Sequence, residues 1–400
     1  MHEFENFTGE KSYMLRQRQV DSSRAIAAGL VAVIAVLSAA AWLTLNVAFN
    51  YGGNVTGLFY TGAGAALPPP MEPHTRRVED RIGYDGQFYH LMAHDPLIRR
   101  GFVSFVDNPR ARWRRIGVPG LAALASAGSD RWVDWAYMSI QLAFVFAGVF
   151  WLSQYAQEQG WHPGWGLAFL AIPAVAVSLD RMTIDLPLAA LCIGLVFYAE
   201  RRAAYAILCA APLIRETGML VVIAWCVYAA IRKRGRAALL GAVSALPALG
   251  WWAYVHAHTP IDGTPWSASY PFSGLIERTM QGLDAGPTLW LRAASIFEEL
   301  ALLGVGLALA LAFHLAWKRR WGLIEVTAIT FAVFAAALGK LDLWSSAYAT
   351  GRTQSPLLIM LGLVALRDRR WLPAFPLMLV VPRIALQYEA QLKQMLRGLS

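Results

Sequence analysis

The chain is built from about ten apolar runs that are separated by short polar or basic breaks. Long runs with few charges are typical of membrane-spanning helices. Of the 400 residues, 57% are hydrophobic and only 15% are charged, whereas soluble domains have about 45–50% and 25%. This composition excludes a water-soluble enzyme with a single anchor. It predicts an all-α, polytopic transmembrane protein with about 10–12 membrane helices. The runs lie at residues 25–48, 135–152, 165–178, 186–198, 203–214, 219–231, 237–255, 300–317, 323–338, 357–366 and 372–386.

The charges of the chain favour a lipid or phosphate partner over a nucleic acid. The formal net charge is +9, from 35 Lys plus Arg against 26 Asp plus Glu. These charges interrupt hydrophobic runs and do not form a stripe on a soluble face, so nucleic-acid binding is not expected. Anionic headgroups of the lipid bilayer and phosphate-bearing substrates are the expected partners.

Short basic clusters predict which loops stay in the cytoplasm. By the positive-inside rule, residues 232–236, 318–320 and 367–370 are cytoplasmic, as is the N-terminal segment 1–24. We expect residues 25–400 to form one transmembrane domain. Its long external loops would be residues 49–134 and 257–299. We expect the protein in the inner (plasma) membrane, with these loops and the active site facing the periplasm or the exterior of the cell.

Two predicted polar turns lie on the outer side between apolar runs that are too short. Residues 165–178 and 186–198 give helices of about 20 Å, against about 30 Å of hydrocarbon. Charged residues in these turns should therefore lie below the membrane surface, where they mark function unless they only pair with one another. The residues concerned are Asp180, Arg181 and Asp185 in the first turn and Arg215 and Glu216 in the second.

Arg352 precedes an apolar run on the same outer side. It either contacts lipid phosphate or places its planar fork on a substrate phosphate, a task that suits Arg better than Lys.

The first external loop contains the most informative motif, GYDGQFYHLMAHDP at residues 83–96. Gln87, His90 and His94 are spaced by three and four residues beside an apolar flank, which predicts a short interfacial helix. Asp85 comes just before this helix, where a plain N-cap is the alternative to a functional acid. Residues 116–127 are too short to cross the bilayer, and we expect them to lie in the outer interface.

The two histidines of this helix leave a metal site open. His90 and His94, at positions i and i+4 with Asp95 beside them, could hold zinc. Interfacial histidines without a metal are the commoner case, so the sequence assigns no metal ligand.

One exposed acid, several deep arginines and an apolar shell suit the transfer of a sugar from a lipid phosphate. The acceptor hydroxyl loses a proton as it attacks, which calls for one carboxylate as general base. The leaving group is already a phosphate, so it needs cations and not the second carboxylic acid of glycoside hydrolysis.

The loop motif YDGQFY at residues 84–89, followed by Asp95-Pro96, resembles the loop acid of the GT-C superfamily of polyprenyl-phosphate-dependent membrane glycosyltransferases. ARWRRIGVP at residues 111–119 is similar to the Arg-rich entry to an interfacial helix in bacterial members linked to cell-surface glycopolymers. The resemblance implies Asp85 as the catalytic base. It also implies a substrate site formed by Tyr84, Gln87, Tyr89, His90, Arg112, Arg115, Asp180, Arg181, Asp185, Arg215, Glu216 and Arg352.

The loop differs from the superfamily pattern at one position. Many relatives carry paired acids there, whereas Gly86 follows Asp85 in this chain. A divalent metal is therefore possible but not required.

The resulting hypothesis is a glycosyltransferase that uses a polyprenyl-phosphate-linked sugar donor and a cell-envelope glycan or lipid acceptor, and we expect transfer with inversion. A transporter or flippase of lipid-linked sugars, and a non-catalytic subunit of an envelope-assembly complex, are the alternatives.

Overall fold

A computed structural model describes residues 2–260, 270–282 and 286–399. Parts of the predicted external loop 257–299 therefore lie outside the described residues. The structure is 73% helical and has almost no strand, which agrees with the predicted all-α class. The helices are α1 His2–Leu45, α2 Gly86–His94, α3 Pro109–Trp113, α4 Gly117–Ala125, α5 Val133–Glu158, α6 Pro173–Arg181, α7 Asp185–Phe197, α8 Ala203–Ile214, α9 Gly218–Ile231, α10 Gly235–Val243, α11 Leu246–His258, α12 Ser273–Met280, α13 Leu289–Trp317, α14 Leu323–Ala336, α15 Ala347–Asp368, α16 Phe375–Leu386 and α17 Glu389–Leu399.

Four stretches of the described chain are helical, long and apolar enough to cross a membrane. A fifth is counted if the bent pair Pro163–Ala171 and Pro173–Arg181 is one span. Shorter apolar helices of 10–17 residues accompany them. α1 continues without a break past residue 24, where the sequence placed the end of the N-terminal segment. The four long spans are Ser22–Asn50, Val133–Glu158, Gly235–His258 and Leu289–Trp317.

The predicted apolar run 165–178 is not one helix. A 3-10 helix, Pro163–Ala171, meets α6 at an angle of 60°. Pro173 begins α6 and forces Ile172 into an extended conformation, with φ −67° and ψ 130°. α6 also runs farther than predicted, so Asp180 and Arg181 are its last residues and not part of a turn.

The break between α8 and α9 lies where the sequence predicted it. Arg215 is extended, with φ −155° and ψ 147°, and ends α8. α9 begins three residues later at Gly218.

α15 is the central helix of the bundle, and nearly all of its residues are buried. It packs against α6, α7, α13, α14 and α16. Ser355, inside α15, accepts a hydrogen bond of 2.9 Å from the N–H of Ala174, which is one of the free amides at the start of α6. Arg352 is the sixth residue of this helix, because α15 begins ten residues before the predicted apolar run 357–366.

Ion pairs link the basic clusters to neighbouring helix ends. Arg320 contacts Asp368 at 2.5 Å, which links the loop after α13 to the end of α15. Arg234 contacts Glu200 at 3.0 Å, which links the loop after α9 to the segment that follows α7.

The last turns of α5 connect α7 with α15, because Trp151 donates to the hydroxyl of Tyr198 at 3.4 Å and Tyr155 donates to the carbonyl of Leu363 at 3.2 Å. α7, α9 and α15 therefore finish at one end of the bundle and begin at the opposite end.

The segment between α1 and α5 folds over that opposite end. It contains α2, α3, α4 and a parallel pair of two-residue strands, β1 Thr61–Gly62 and β2 Arg77–Val78. The predicted interfacial segment 116–127 forms α4, which packs on α2 and α5.

Candidate active site

The turn before α2 is shaped by close backbone packing. Gly83 has φ +73°, and a Cβ there would lie 2.4 Å from the backbone nitrogen of Gly62. Only glycine satisfies both conditions without strain. Gln87 accepts a hydrogen bond from the N–H of Gly62 at 3.2 Å and donates to the carbonyl of Ile82 at 3.1 Å. Gln87 therefore braces the turn that precedes α2, and its assignment to substrate binding stays a prediction.

Gly86, three residues after Gly83, brings the loop against the end of α6. A Cβ at Gly86 would lie 2.1 Å from the carbonyl oxygen of Arg181 and 2.8 Å from that of Phe59. The Asp85 loop and the deep Asp180-Arg181 pair are therefore in direct contact, although 95 residues separate them in the chain.

Asp85 holds two arginines with its carboxylate. Oδ1 lies 2.9 Å from Nη1 of Arg112, and Oδ2 lies 2.8 Å from Nη2 of Arg352. Within the described chain this carboxylate makes no capping hydrogen bond to α2, which removes the plain N-cap interpretation. Its side chain is 21% exposed, so the acid still reaches solvent.

The electrostatics of Asp85 follow from these neighbours. Burial acts to raise the pKa of the Asp85 carboxyl, but Arg112 and Arg352 lower it, and the net pKa lies well below its usual range. In this state Asp85 is ionised and a weak base, because a carboxylate held by two guanidinium groups has little affinity for a proton.

Arg112 of α3 and Arg115, which lies just after this helix, extend the site. Arg112 also contacts Asp107 at 2.9 Å and lies over the ring of Phe88. Arg115 contacts Glu216 at 2.8 Å and donates to the hydroxyl of Tyr89 at 2.8 Å. The break between α8 and α9 is thus joined to the external loop, as the sequence anticipated.

Asp185 joins two arginines of the site, Arg352 and Arg215. It contacts Nε of Arg352 at 3.5 Å and pairs with Arg215. Arg215 therefore pairs with Asp185 and not with its neighbour Glu216, which excludes the simple internal pair for that turn.

Asp180 and Arg181 do pair with each other, at 2.8 Å, yet both have further partners. Tyr348 donates its hydroxyl proton to Asp180 at 2.5 Å, and the guanidinium carbon of Arg181 lies 3.2 Å from the centre of the Tyr60 ring. Tyr84 lies between Tyr348 and Arg352, with its ring centre 5.5 Å from the first ring and 5.2 Å from the guanidinium carbon.

Several residues at the site were missed by the sequence analysis. Tyr348 could have been found, because it lies four residues before Arg352 and therefore on the same face of a helix. Tyr60, Asp107 and Gln391, which pairs with Asp180 from α17, have no signal in the sequence.

His90 does not lie with Asp85. It stacks on Phe59, with ring centres 4.3 Å apart, and its Nε2 lies 3.0 Å from Asp134. Asp95, the predicted companion of the histidines, accepts hydrogen bonds from the backbone N–H groups of Arg99 and Arg100 and is not at the histidine pair. The described His, Asp and Glu side chains that could hold a metal are instead His90, His94 and Asp134.

The chemistry of the Asp85 site suits an anion better than a cation. Arg112, Arg352 and Arg215 surround its carboxylates, so a divalent metal at Asp85 would meet strong repulsion and does not fit. Nη1 of Arg352 is buried and has no hydrogen-bond partner among the described residues, which leaves a donor for a ligand. The first residues of α2, α7, α9 and α15 also lie at this end of the bundle, and helix N-termini attract anions.

Gly86→Ala tests the close contact between the loop and α6. We expect the added methyl group to push the loop away from Arg181, to cost about 1–3 kcal/mol of stability and to lower any activity that depends on Asp85. Thermal unfolding of the purified protein measures the first effect. The matched control is Gly306→Ala in α13, where a Cβ would meet no described atom within 4 Å. Equal unfolding midpoints for the two variants would contradict the contact.

No protein-family model, no curated protein and no solved structure matches this chain.

Proposed function

We propose that the protein is an integral membrane glycosyltransferase of GT-C type. It transfers a sugar from a polyprenyl-phosphate donor to a glycan or lipid acceptor of the cell envelope. The observation that carries this proposal is the Asp85 carboxylate held between Arg112 and Arg352, with Arg181 and Arg215 close by. It supplies one acid for a hydroxyl and several cations for a phosphate.

Donor binding would change the state of the acid. The donor phosphate competes with Asp85 for Arg352, whose Nη1 is already available to a ligand. As Arg352 turns to the phosphate, Asp85 loses one of the two cations that depress its pKa. The carboxylate then becomes a stronger base at the moment when a substrate is present.

The reaction is a single displacement with inversion. The acceptor oxygen forms a bond to the anomeric carbon of the sugar and gives its proton to Asp85. The bond from that carbon to the phosphate oxygen breaks, and its electron pair leaves with the polyprenyl phosphate. Arg352 and its neighbouring arginines stabilise the charge that develops on the leaving group.

An apolar cavity along the same helices fits a lipid tail. Its volume is about 390 Å³, and its lining includes Ile193 of α7 and Leu358 of α15. Leu358 lies six residues beyond Arg352, which is about 9 Å along the helix. A ligand with a charged head at Arg352 and an apolar tail matches this arrangement of polar and apolar surfaces.

We further propose that the chain crosses the inner membrane about 10–12 times, with its basic clusters in the cytoplasm and the Asp85 site facing the periplasm or exterior. The four long apolar helices and the shared end of the basic loops support this topology.

Transfer by the purified protein tests the activity directly. The protein in lipid nanodiscs is mixed with a labelled polyprenyl-phosphate sugar and an envelope extract. We expect the label to move to the acceptor and free polyprenyl phosphate to appear. Donor binding without release of polyprenyl phosphate would favour the transporter, and neither binding nor release would favour the non-catalytic subunit.

Cysteine labelling tests the orientation. In a variant without Cys192, Cys209 and Cys226, we expect Ile82→Cys to react with an impermeant maleimide added outside intact spheroplasts. Ile82 is 81% exposed in the loop that carries Asp85. The control, Gly235→Cys, lies in a basic cluster and should react only after permeabilisation. The reverse pattern would place Asp85 on the cytoplasmic side and contradict the proposed topology.

A further inference from the structure

We propose that His90, His94 and Asp134 form a binding site for a divalent transition metal ion such as Zn²⁺, on the side of α2 that faces α5. One ligand atom from each residue lies within 4.8 Å of the others. This site is separate from the Asp85 site and does not depend on the proposed sugar transfer.

The geometry matches a tetrahedral centre. His90 and His94 are one helical turn apart on α2, and Asp134 is the second residue of α5. Oδ1 of Asp134 lies 3.0 Å from Nε2 of His90 and 3.3 Å from Nε2 of His94. Ligand atoms about 2.0–2.1 Å from zinc in a tetrahedron are about 3.3 Å apart. Both distances from Asp134 to the histidines are therefore close to the spacing that zinc requires, and the ligand atoms of the two histidines lie within 4.8 Å of each other.

Hydrogen bonds within the described protein do not account for the buried ring of His90. This side chain is only 2% exposed. Its Nδ1 has no hydrogen-bond partner among the described residues, and its Nε2 lies near Asp134 without hydrogen-bond geometry. Buried polar groups without partners are rare and point to a bound ion or water. A metal bound to Nε2 satisfies that nitrogen.

His94 carries the outer support that metal-bound histidines usually have. Its Nδ1 lies 2.7 Å from Asp130, while its Nε2 faces Asp134. Asp130 is in turn held by Arg100, with contacts of 2.6 and 2.9 Å. Such a carboxylate fixes the histidine tautomer and leaves the other nitrogen free to bind the metal.

The site has room for exchangeable ligands. It borders a cavity of about 390 Å³ that is also lined by Thr56 and His74. Three protein ligands with an open position would allow a water or His74 to complete the coordination. His90 is five residues from Asp85, which is at least about 7 Å along α2. The metal would thus fasten α2 to α5 and position Asp85, without touching the reacting atoms.

Zinc binding to the purified protein tests the proposal. The affinity tag is first removed, and bound metals are stripped with a chelator. We expect one zinc ion per chain by elemental analysis, a higher unfolding midpoint with zinc, and intense visible bands when Co²⁺ replaces it. His90→Ala should abolish binding. Asp130→Asn should weaken it about 10- to 100-fold, as loss of an outer support does.

The control is His162→Ala, because His162 only accepts a hydrogen bond from the backbone N–H of Gly164. It should bind zinc as the unchanged protein does. Far-ultraviolet circular dichroism checks that each variant is folded. If His90→Ala does not fold, Asp134→Asn and the cobalt spectrum of the unchanged protein decide. Absence of zinc uptake by the unchanged protein, or uptake that survives both substitutions, would overturn the site.

Discussion

We expect Asp85→Asn to lower the rate of the proposed sugar transfer by about 10²–10⁴-fold, the usual contribution of a general base. The amide keeps the size of the side chain but cannot take the proton of the acceptor hydroxyl. We expect donor binding to survive and become tighter, because the amide no longer competes with the donor phosphate for Arg112 and Arg352. Release of labelled polyprenyl phosphate measures the rate, and equilibrium binding of the labelled donor to nanodiscs measures the affinity.

Asp107→Asn is the matched control for Asp85→Asn. Asp107 also pairs with Arg112, at 2.9 Å, but its side chain is 41% exposed and it has no described contact with Arg352. We expect its replacement to change the transfer rate only slightly. A loss as large as that of Asp85→Asn would mean that both carboxylates act by orienting Arg112, and the assignment of Asp85 as the base would be wrong.

The class of the fold could be predicted from hydropathy, but the limits of individual helices could not. The basic clusters lie at helix ends as expected, because charged residues cannot continue an apolar span. The bend at Pro173 was missed, although a proline and the extended residue before it are readable signals. A prediction that lacks this bend ends the helix at residue 178 and assigns Asp180 and Arg181 to a turn, whereas they are the last two residues of α6.

The site was predicted in outline and not in its pairings. Spacing placed Asp85 at a helix start, and the short flanking runs placed Asp180, Arg181 and Arg215 at depth, but none of these patterns specifies which acid meets which arginine. The pair of Asp85 with Arg352 joins residues 267 positions apart, and it depends on how α15 packs beside α6 and α7. Long-range packing of this kind leaves no local pattern in one sequence.

The histidines show the opposite error. The sequence suggested a third ligand beside them, Asp95, because it is adjacent in the chain. In the structure Asp95 accepts hydrogen bonds from the loop amides of Arg99 and Arg100, and Asp134 from α5 takes its place at the histidines. Nearness in sequence was a poor guide, since α2 points its histidines away from the turn that follows it.

Arg352→Lys is the second decisive substitution. Lysine keeps the charge but lacks the planar fork, so it cannot contact Asp85, Asp185 and a phosphate in the way that Arg352 can. Loss of one charge-assisted hydrogen bond, about 1.5–3 kcal/mol, corresponds to a fall of roughly 10- to 100-fold in kcat/KM for the donor. We expect donor affinity to fall in proportion, as measured by the same binding assay.

The two substitutions separate a binding site from a structural ion pair because they have opposite effects on donor affinity. If Asp85 and Arg352 only stabilise the bundle, Asp85→Asn and Arg352→Lys should both lower the unfolding midpoint and weaken any binding together. If Arg352 serves the donor phosphate, Asp85→Asn tightens binding and Arg352→Lys weakens it. Arg383→Lys is the control, because Arg383 pairs with Glu298 at 2.7 Å and has no described contact with Asp85. The donor affinity of this variant should be unchanged. Equal affinities for Arg352→Lys and Arg383→Lys would remove Arg352 from the donor site.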